Sequence, residues 1–166
     1  MAKKDLKHVS ETPATAWLRR HGTAFTEHGY DYVEHGGTAE SAHQLGVDEH
    51  AVIKTLVMQD ERARPLVVLM HGDRQVSTKN LARAIGCKSI EPSSAEVAQR
   101  HSGYQIGGTS PFGFKREGVP VYVQASVLTL PRICINGGRR GFLVGIAPSV
   151  LTESLGAKVV ECALVA

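Results

Sequence analysis

Two apolar runs near the middle of the chain, "VIKTLVMQ" (52–59) and "PLVVLMHG" (65–72), limit most what it can fold into. Both are rich in β-branched residues, too short for core helices, and separated only by the polar segment "DERAR". They read as adjacent strands of a central sheet. Segments with helical signals stand on either side of them. In "ETPATAWLRRHG", Thr12 is placed to cap a helix, Pro13 suits its first position and Gly22 its left-handed close, with Trp17 and Leu18 as docking residues. Thr38 is expected to cap a helix through "AESAHQLG" that ends at Gly46, and Asp48 to start a further turn. Ser77 caps "TKNLARAIG", and Ser93 with Glu96 has capping-box spacing.

The remaining segments extend the sheet. "AFTEHGYDYVEH" alternates about a turn at Gly29 and suggests a short extended pair. After the glycine-rich loop "GYQIGGTSPFGFKREG" come three strand candidates, "VPVYVQA", "RICINGG" and "GFLVGI". A helix from Pro148 and a closing strand in "AKVVECALV" complete the chain. Helices thus interleave with strands without a linker or repeat, which predicts one α/β domain with a mixed, largely antiparallel central sheet surrounded by helices. A tail is expected over residues 1–11 and the domain over 12–166. A chain of 166 residues can bury about two-thirds of its unfolded surface, enough for one core.

Composition narrows the class. With 42% hydrophobic and 21% charged residues the chain is of globular type. The start "MAKKDLKHVSETP" has no apolar segment behind its basic residues, so no signal peptide, membrane anchor or membrane association is expected, and the cytoplasm is the expected location. Cys87, Cys134 and Cys162 are odd in number and widely spaced, which suits reduced thiols. A net charge of +3 neither requires nor excludes nucleic acid. Lys79, Arg83, Lys88, Lys115, Arg116, Arg139 and Arg140 cluster beside glycine-rich or polar segments, where they serve phosphate contacts or an ordinary solvated surface.

Within the first central run, period-two alternation puts Lys54 on one face with Leu56 and Met58, and Ile53, Thr55 and Val57 on the other. An ammonium on a core-type face is costly to bury, and burial lowers its pKa from the usual value of about 10.4. Lys54 therefore either snorkels from the strand end or lines a pocket. The loop "GYQIGGTSPFG" lets the backbone approach a ligand, or is simply a tight connection. It lacks the Lys-Ser/Thr ending of a nucleotide P-loop. His28, His35, His43 and His50 recur at seven- or eight-residue intervals without a zinc-binding arrangement, so neither a metal nor any other cofactor is expected. No serine or cysteine stands in a nucleophile signature.

Three motifs carry a resemblance: "VIKTLV" around Lys54, "VAQRHSGYQIGGTSPFG" around Gly107 to Pro111, and "INGGRRG" from Ile135 to Gly141. In this order and spacing the chain resembles the YbaK/EbsC family of aminoacyl-tRNA deacylases, related to the editing domain of bacterial prolyl-tRNA synthetase, from "TPATAWLRRHG" to "LGAKVVE". The resemblance implies hydrolysis, in trans, of the ester of mischarged tRNA(Pro), with prolyl-tRNA synthetase as a partner and Cys-tRNA(Pro) as the family's default substrate. It puts the essential lysine on Lys54 and catalytic loop positions on Gly107 and Gly108. Substrate contacts fall on Tyr30, Tyr32, Thr55, Thr109, Ser110, Pro111, Gly137, Gly138, Arg140 and Leu143. The nucleophile is then a water, or the substrate thiol when the amino acid is cysteine.

Two departures bear on the substrate. Cysteine-specific relatives carry an acidic residue where this chain has Leu143, and the segment between "YVEHGG" and "LGVD" is shortened. An apolar Leu143 points to a small aliphatic amino acid, alanine or 2-aminobutyrate, which such a pocket discriminates by about 10- to 200-fold per methylene. The alternative is a non-catalytic module of the same fold that binds tRNA or a synthetase.

Overall fold

The structure is a computed structural model and describes residues 11–164. Apart from Glu11, the tail expected over 1–11 lies outside the described residues. The two central runs form β2 (Val52–Asp60) and β3 (Pro65–His71), an antiparallel pair in register from Ile53 opposite His71 to Gln59 opposite Pro65. Asp60 fixes the turn between them by accepting from the Arg62 and Arg64 N–H groups and from the Arg64 guanidinium. Three more strands, β1 (Thr26–Gly29), β6 (Ile133–Arg139) and β7 (Phe142–Ile146), extend the sheet on the β2 side. On the β3 side stand β5 (Val121–Gln124) and β8 (Lys158–Val160), giving the order β1-β7-β6-β2-β3-β5-β8, while β4 (Ile90–Pro92) pairs with β2 off this path. Four of the pairings are antiparallel and three are parallel, so the sheet is mixed, as expected from the sequence.

Every residue of β3 is buried, and alternation sends its side chains into two cores. Val67 and Leu69 join Ile53 and Ile135 against α1 (Pro13–Arg20) and α5 (Ser149–Glu153) through Leu18 and Leu151. Leu66, Val68 and Met70 join Met58 on the opposite face, against Leu81 and Ala82 of α3 (Thr78–Ile85). On that same face of β2, Val52 packs with Leu143 and with Ala42 of α2 (Gly37–Leu45). The remaining helix, α4 (Ala95–Ser102), follows β4 and contacts β2.

The local signals hold where the cap is chosen by neighbours in sequence. Thr12, Ser77 and Asp48 cap as expected, and Gly46 closes α2 in the left-handed conformation. Three expectations are corrected. Thr38 lies inside α2, which starts at Gly37; its hydroxyl instead bonds Glu49 Oε2 at 2.8 Å and the Gly72 carbonyl at 3.2 Å. The cap of α4 is Ser94, whose hydroxyl accepts from Val97 N–H, because the Ser93 N–H is committed to the Val57 carbonyl. The pair expected about Gly29 is a single strand, since β1 finds its partner in β7 and Tyr30 N–H bonds the Gly141 carbonyl. Strand β4 and a 3₁₀ turn at Ala125–Thr129 carry no strong sequence signal.

Thr12 also ties α1 to the glycine pair of β6. Its hydroxyl accepts from Thr15 N–H at 3.1 Å and lies 2.5 Å from the Gly137 carbonyl, to which it donates. Thr12→Ala is expected to lower the unfolding free energy by about 1–2 kcal/mol through loss of the cap. Urea denaturation checks this as a lower midpoint at unchanged slope.

Candidate active site

A cavity of about 670 Å³ opens along β2 from Val52 to Met58. The face carrying Lys54 forms one wall, the Tyr30–Val33 segment and the first turn of α2 a second, and the Ile106–Thr109 loop a third. Register explains why Leu143 belongs here. It stands opposite Asn136, two residues beyond the Cys134 that pairs with Val52, so these side chains share the Lys54 face.

Lys54 is half-buried, opposite Met70 on β3. Burial pushes its pKa below the ordinary lysine value, and the carboxylates of Glu49 and Asp73 partly oppose that shift. Among the described residues no carboxylate comes within 4.0 Å of its ammonium. The charge is thus favoured from a distance and left without an ion-pair partner. Behind it, Asp73 bonds His50 Nδ1 at 2.8 Å, and the His50 ring stacks on His71 at 3.7 Å and 7°. His71 Nδ1 faces the His50 carbonyl at 2.7 Å, so this nitrogen carries the proton and Nε2 accepts from Ser126 Oγ at 2.7 Å. These three residues cluster tightly enough to suggest a metal site. Stacked parallel rings cannot both direct an in-plane lone pair at one ion, however, and both His71 nitrogens are already bonded. The cluster is better described as a hydrogen-bonded support for Asp73.

The loop is set by two different glycines. Gly107 has φ +87°, and Gly108 N–H closes a turn onto the Gln105 carbonyl at 2.8 Å. A Cβ on Gly107 would meet Tyr32 Oη at 2.8 Å, whereas one on Gly108 would meet the Arg139 main chain at 2.8 Å. Asn136 ties this loop to β6: its Nδ2 donates to the Gly107 carbonyl at 3.2 Å, and its Oδ1 accepts from Gly138 and Arg139 N–H groups. At the mouth, Arg140 donates to the Ile106 carbonyl at 2.8 Å and lies 4.7 Å from the centre of the Tyr32 ring.

Of the residues singled out from sequence, Tyr30, Tyr32, Lys54, Thr55, Gly107, Thr109 and Leu143 line this cavity. Gly108 does not line it, and its N–H is used inside the turn. Ser110 is fully buried and caps Phe112 N–H, while Pro111 faces a second cavity beside Trp17 and Arg116. Gly137 and Gly138 serve packing, since a Cβ there would meet Phe142 at 2.4 Å and Thr12 or Tyr104 at 3.0 Å. Arg140 acts at the rim. Sequence reasoning missed Asn136, Ser93, Glu49 and Asp73. Asn136 stood inside a quoted motif, but its double bonding depends on a loop about 30 residues earlier in the chain, 29 by the Gly107 contact.

A family model described as the aminoacyl-tRNA editing domain matches residues 34–153. The protein EbsC of Enterococcus faecalis, named as a candidate Cys-tRNA(Pro)/Cys-tRNA(Cys) deacylase, is 30% identical over 152 residues, 91% of either chain. The proline–tRNA ligase of Thermodesulfovibrio yellowstonii is 37% identical over 71 residues, which are 43% of this chain and 12% of the ligase. Among solved structures, a hypothetical protein superposes with TM-score 0.84 at 23% identity over 92% of this chain and 100% of its own. A candidate trans-editing enzyme for prolyl-tRNA synthetase gives 0.79 at 21% identity, over 92% and 96%. At such identities the structural matches speak for the fold.

Proposed function

The chain belongs to the aminoacyl-tRNA editing domain family, and from that premise we propose that it acts in trans on mischarged tRNA(Pro), hydrolysing the ester that joins a wrong amino acid to the terminal adenosine. The observation that carries this reading is Lys54, an ammonium without an ion-pair partner among the described residues, in the wall of a cavity closed by the Gly107 loop. The ester carbonyl is polarised by Lys54, which also stabilises negative charge developing on its oxygen. Water adds to the carbonyl carbon, the carbon–oxygen bond to the ribose breaks, and the ribose oxygen takes up a proton. For a cysteinyl substrate its own thiol takes the place of water as nucleophile. Tyr32, Thr109 and Arg140 are the residues assigned to the adenosine end.

Leu143 decides the amino acid. It is buried with Val52 and Ala42 beside Tyr30, an apolar patch of the wall, while Glu40, the carboxylate that lines the same cavity, accepts from Gln44 Nε2 at 3.0 Å. This favours alanine or 2-aminobutyrate over the cysteine of the family default. Cytoplasmic action and a contact with prolyl-tRNA synthetase follow from the same reading; no described helix is long and apolar enough to cross a membrane. A deacylation panel of Cys-, Ala-, 2-aminobutyryl- and Pro-tRNA(Pro) tests it. Turnover of none of the mischarged species, with tRNA(Pro) still bound, would favour the non-catalytic binder instead.

A pH prediction follows from Lys54. Because burial lowers its pKa, the ratio of catalysed to spontaneous hydrolysis is expected to fall as pH rises, starting below the ordinary lysine range. Asp73→Asn removes a charge that favours the ammonium, so the limb moves to lower pH. A ratio that stays flat across the alkaline range in both proteins sinks the assignment.

A further inference from the structure

Strand β2 is paired with β3 along its length, but on its other side only at its ends. There β6 runs parallel to it over Val52 and Ile53, and β4 antiparallel from Met58 to Asp60. Residues 54–57 between them form an edge inside the sheet. The direction of their main-chain groups follows from alternation. The Val52 carbonyl accepts from Gly72 N–H at 2.7 Å and Asp60 N–H donates to Arg64 at 3.0 Å, so these residues face β3. The Val57 carbonyl accepts from Ser93 N–H at 3.1 Å and so faces the other way. Thr55 is in phase with Val57, and its N–H and carbonyl point into the opening without a partner among the described residues.

Two hydroxyls along the same edge share this condition. Thr55 Oγ1 and Ser93 Oγ are buried without a hydrogen-bond partner among the described residues, and both residues line the cavity. Buried polar groups are normally satisfied, because leaving one unpaired forfeits its hydration with nothing in return. Here one N–H and three oxygens are left over along the unpaired stretch of β2, the two hydroxyls on the face opposite Lys54.

We infer that this opening is the subsite for the aminoacyl group itself, held as one rung of the sheet; the inference rests on the function proposed above. An α-aminoacyl ester carries its nitrogen and its carbonyl on either side of one carbon, as a strand residue does. Its ester carbonyl accepts from Thr55 N–H, next to the Lys54 ammonium. Its α-ammonium has three donors and no acceptor, and the wall offers three oxygens: the Thr55 carbonyl, Thr55 Oγ1 and Ser93 Oγ. Each hydroxyl is presented by rotation about its Cα–Cβ bond. A ribose hydroxyl brings one donor and would leave most of these oxygens unsatisfied. The subsite therefore reads what all aminoacyl groups share, and leaves their side chains to Leu143.

The test uses two amide-linked, non-hydrolysable ligands, 3′-(L-alanylamino)-3′-deoxyadenosine and its propionyl counterpart, which differ only in the α-ammonium. Calorimetry on the wild-type protein is expected to show about 10- to 100-fold tighter binding of the alanyl ligand, as hydrogen bonds to a charged group give. The Thr55→Val, Ser93→Ala double variant is expected to lose most of that preference while its melting temperature stays level or rises, since it removes unpaired buried groups. Equal binding of the two ligands by wild type, binding of neither, or an undiminished preference in the double variant overturns the inference. If the preference is found but no aminoacyl-tRNA is hydrolysed, the subsite stands and the deacylase reading falls. If aminoacyl-tRNA is hydrolysed without the preference, the reverse holds.

Discussion

Lys54→Ala is expected to lower kcat/KM for the mischarged tRNA(Pro) that the protein hydrolyses best by about 100- to 1,000-fold, the usual loss when one pre-oriented donor to a developing oxyanion is removed. The fold should not suffer with it. Lys54 has no ion-pair partner among the described residues, and burial already disfavours its charge, so no stabilising bond is broken. Lys54→Met, which keeps the apolar stem, separates the charge from the packing: it should lose as much activity as the alanine variant and melt no lower than wild type. Single-turnover deacylation with matched thermal melts is the measurement. Variant rates equal to wild type would remove Lys54 from the chemistry.

The second large effect is expected at a residue that does not line the Lys54 cavity. Gly108→Ala puts a methyl 2.8 Å from the Arg139 main chain, a partner that cannot swing aside as a side chain end can. The loop and the β6–β7 hairpin must move apart, at a cost of about 1–3 kcal/mol in stability. That movement stretches the Asn136 bond to the Gly107 carbonyl and shifts the wall opposite Lys54. Activity is expected to fall about 100-fold, what an ångström of misplacement costs. Asn136→Ala cuts the same tie without inserting volume, so it should lose activity with a smaller loss of stability. Activity per folded molecule, with the folded fraction read by circular dichroism, distinguishes misplacement from unfolding; an unchanged value in both variants would separate the loop from catalysis.

The two glycines show where the sequence stopped. "IGGT" presents Gly107 and Gly108 as equivalent, yet one is required by its positive φ and the other by a main chain lying against it. Capping shows the same boundary. Ser77 and Thr12 were legible because their partners are three residues away. Ser93, with Glu96 three residues on, fits the cap better than Ser94 in sequence, yet Ser94 caps the helix while Ser93 N–H bonds β2. Thr38 had the residue type of a cap, and its distant contact with Gly72 was invisible.

For the site, alternation along β2 correctly put Lys54 on the face with Leu56 and Met58, since side-chain direction in a strand is a local property. Whether that lysine snorkelled or lined a pocket was not local. It depended on β6 leaving β2 after Ile53 and β4 joining only at Met58. The sequence by itself determined most of the elements, their order and the family motifs, because hydrophobic period and capping chemistry act over a few residues. Tertiary structure alone decided which polar groups of β2 remained unpaired, because a hydrogen-bond partner supplied from elsewhere in the chain is fixed only when the strands assemble.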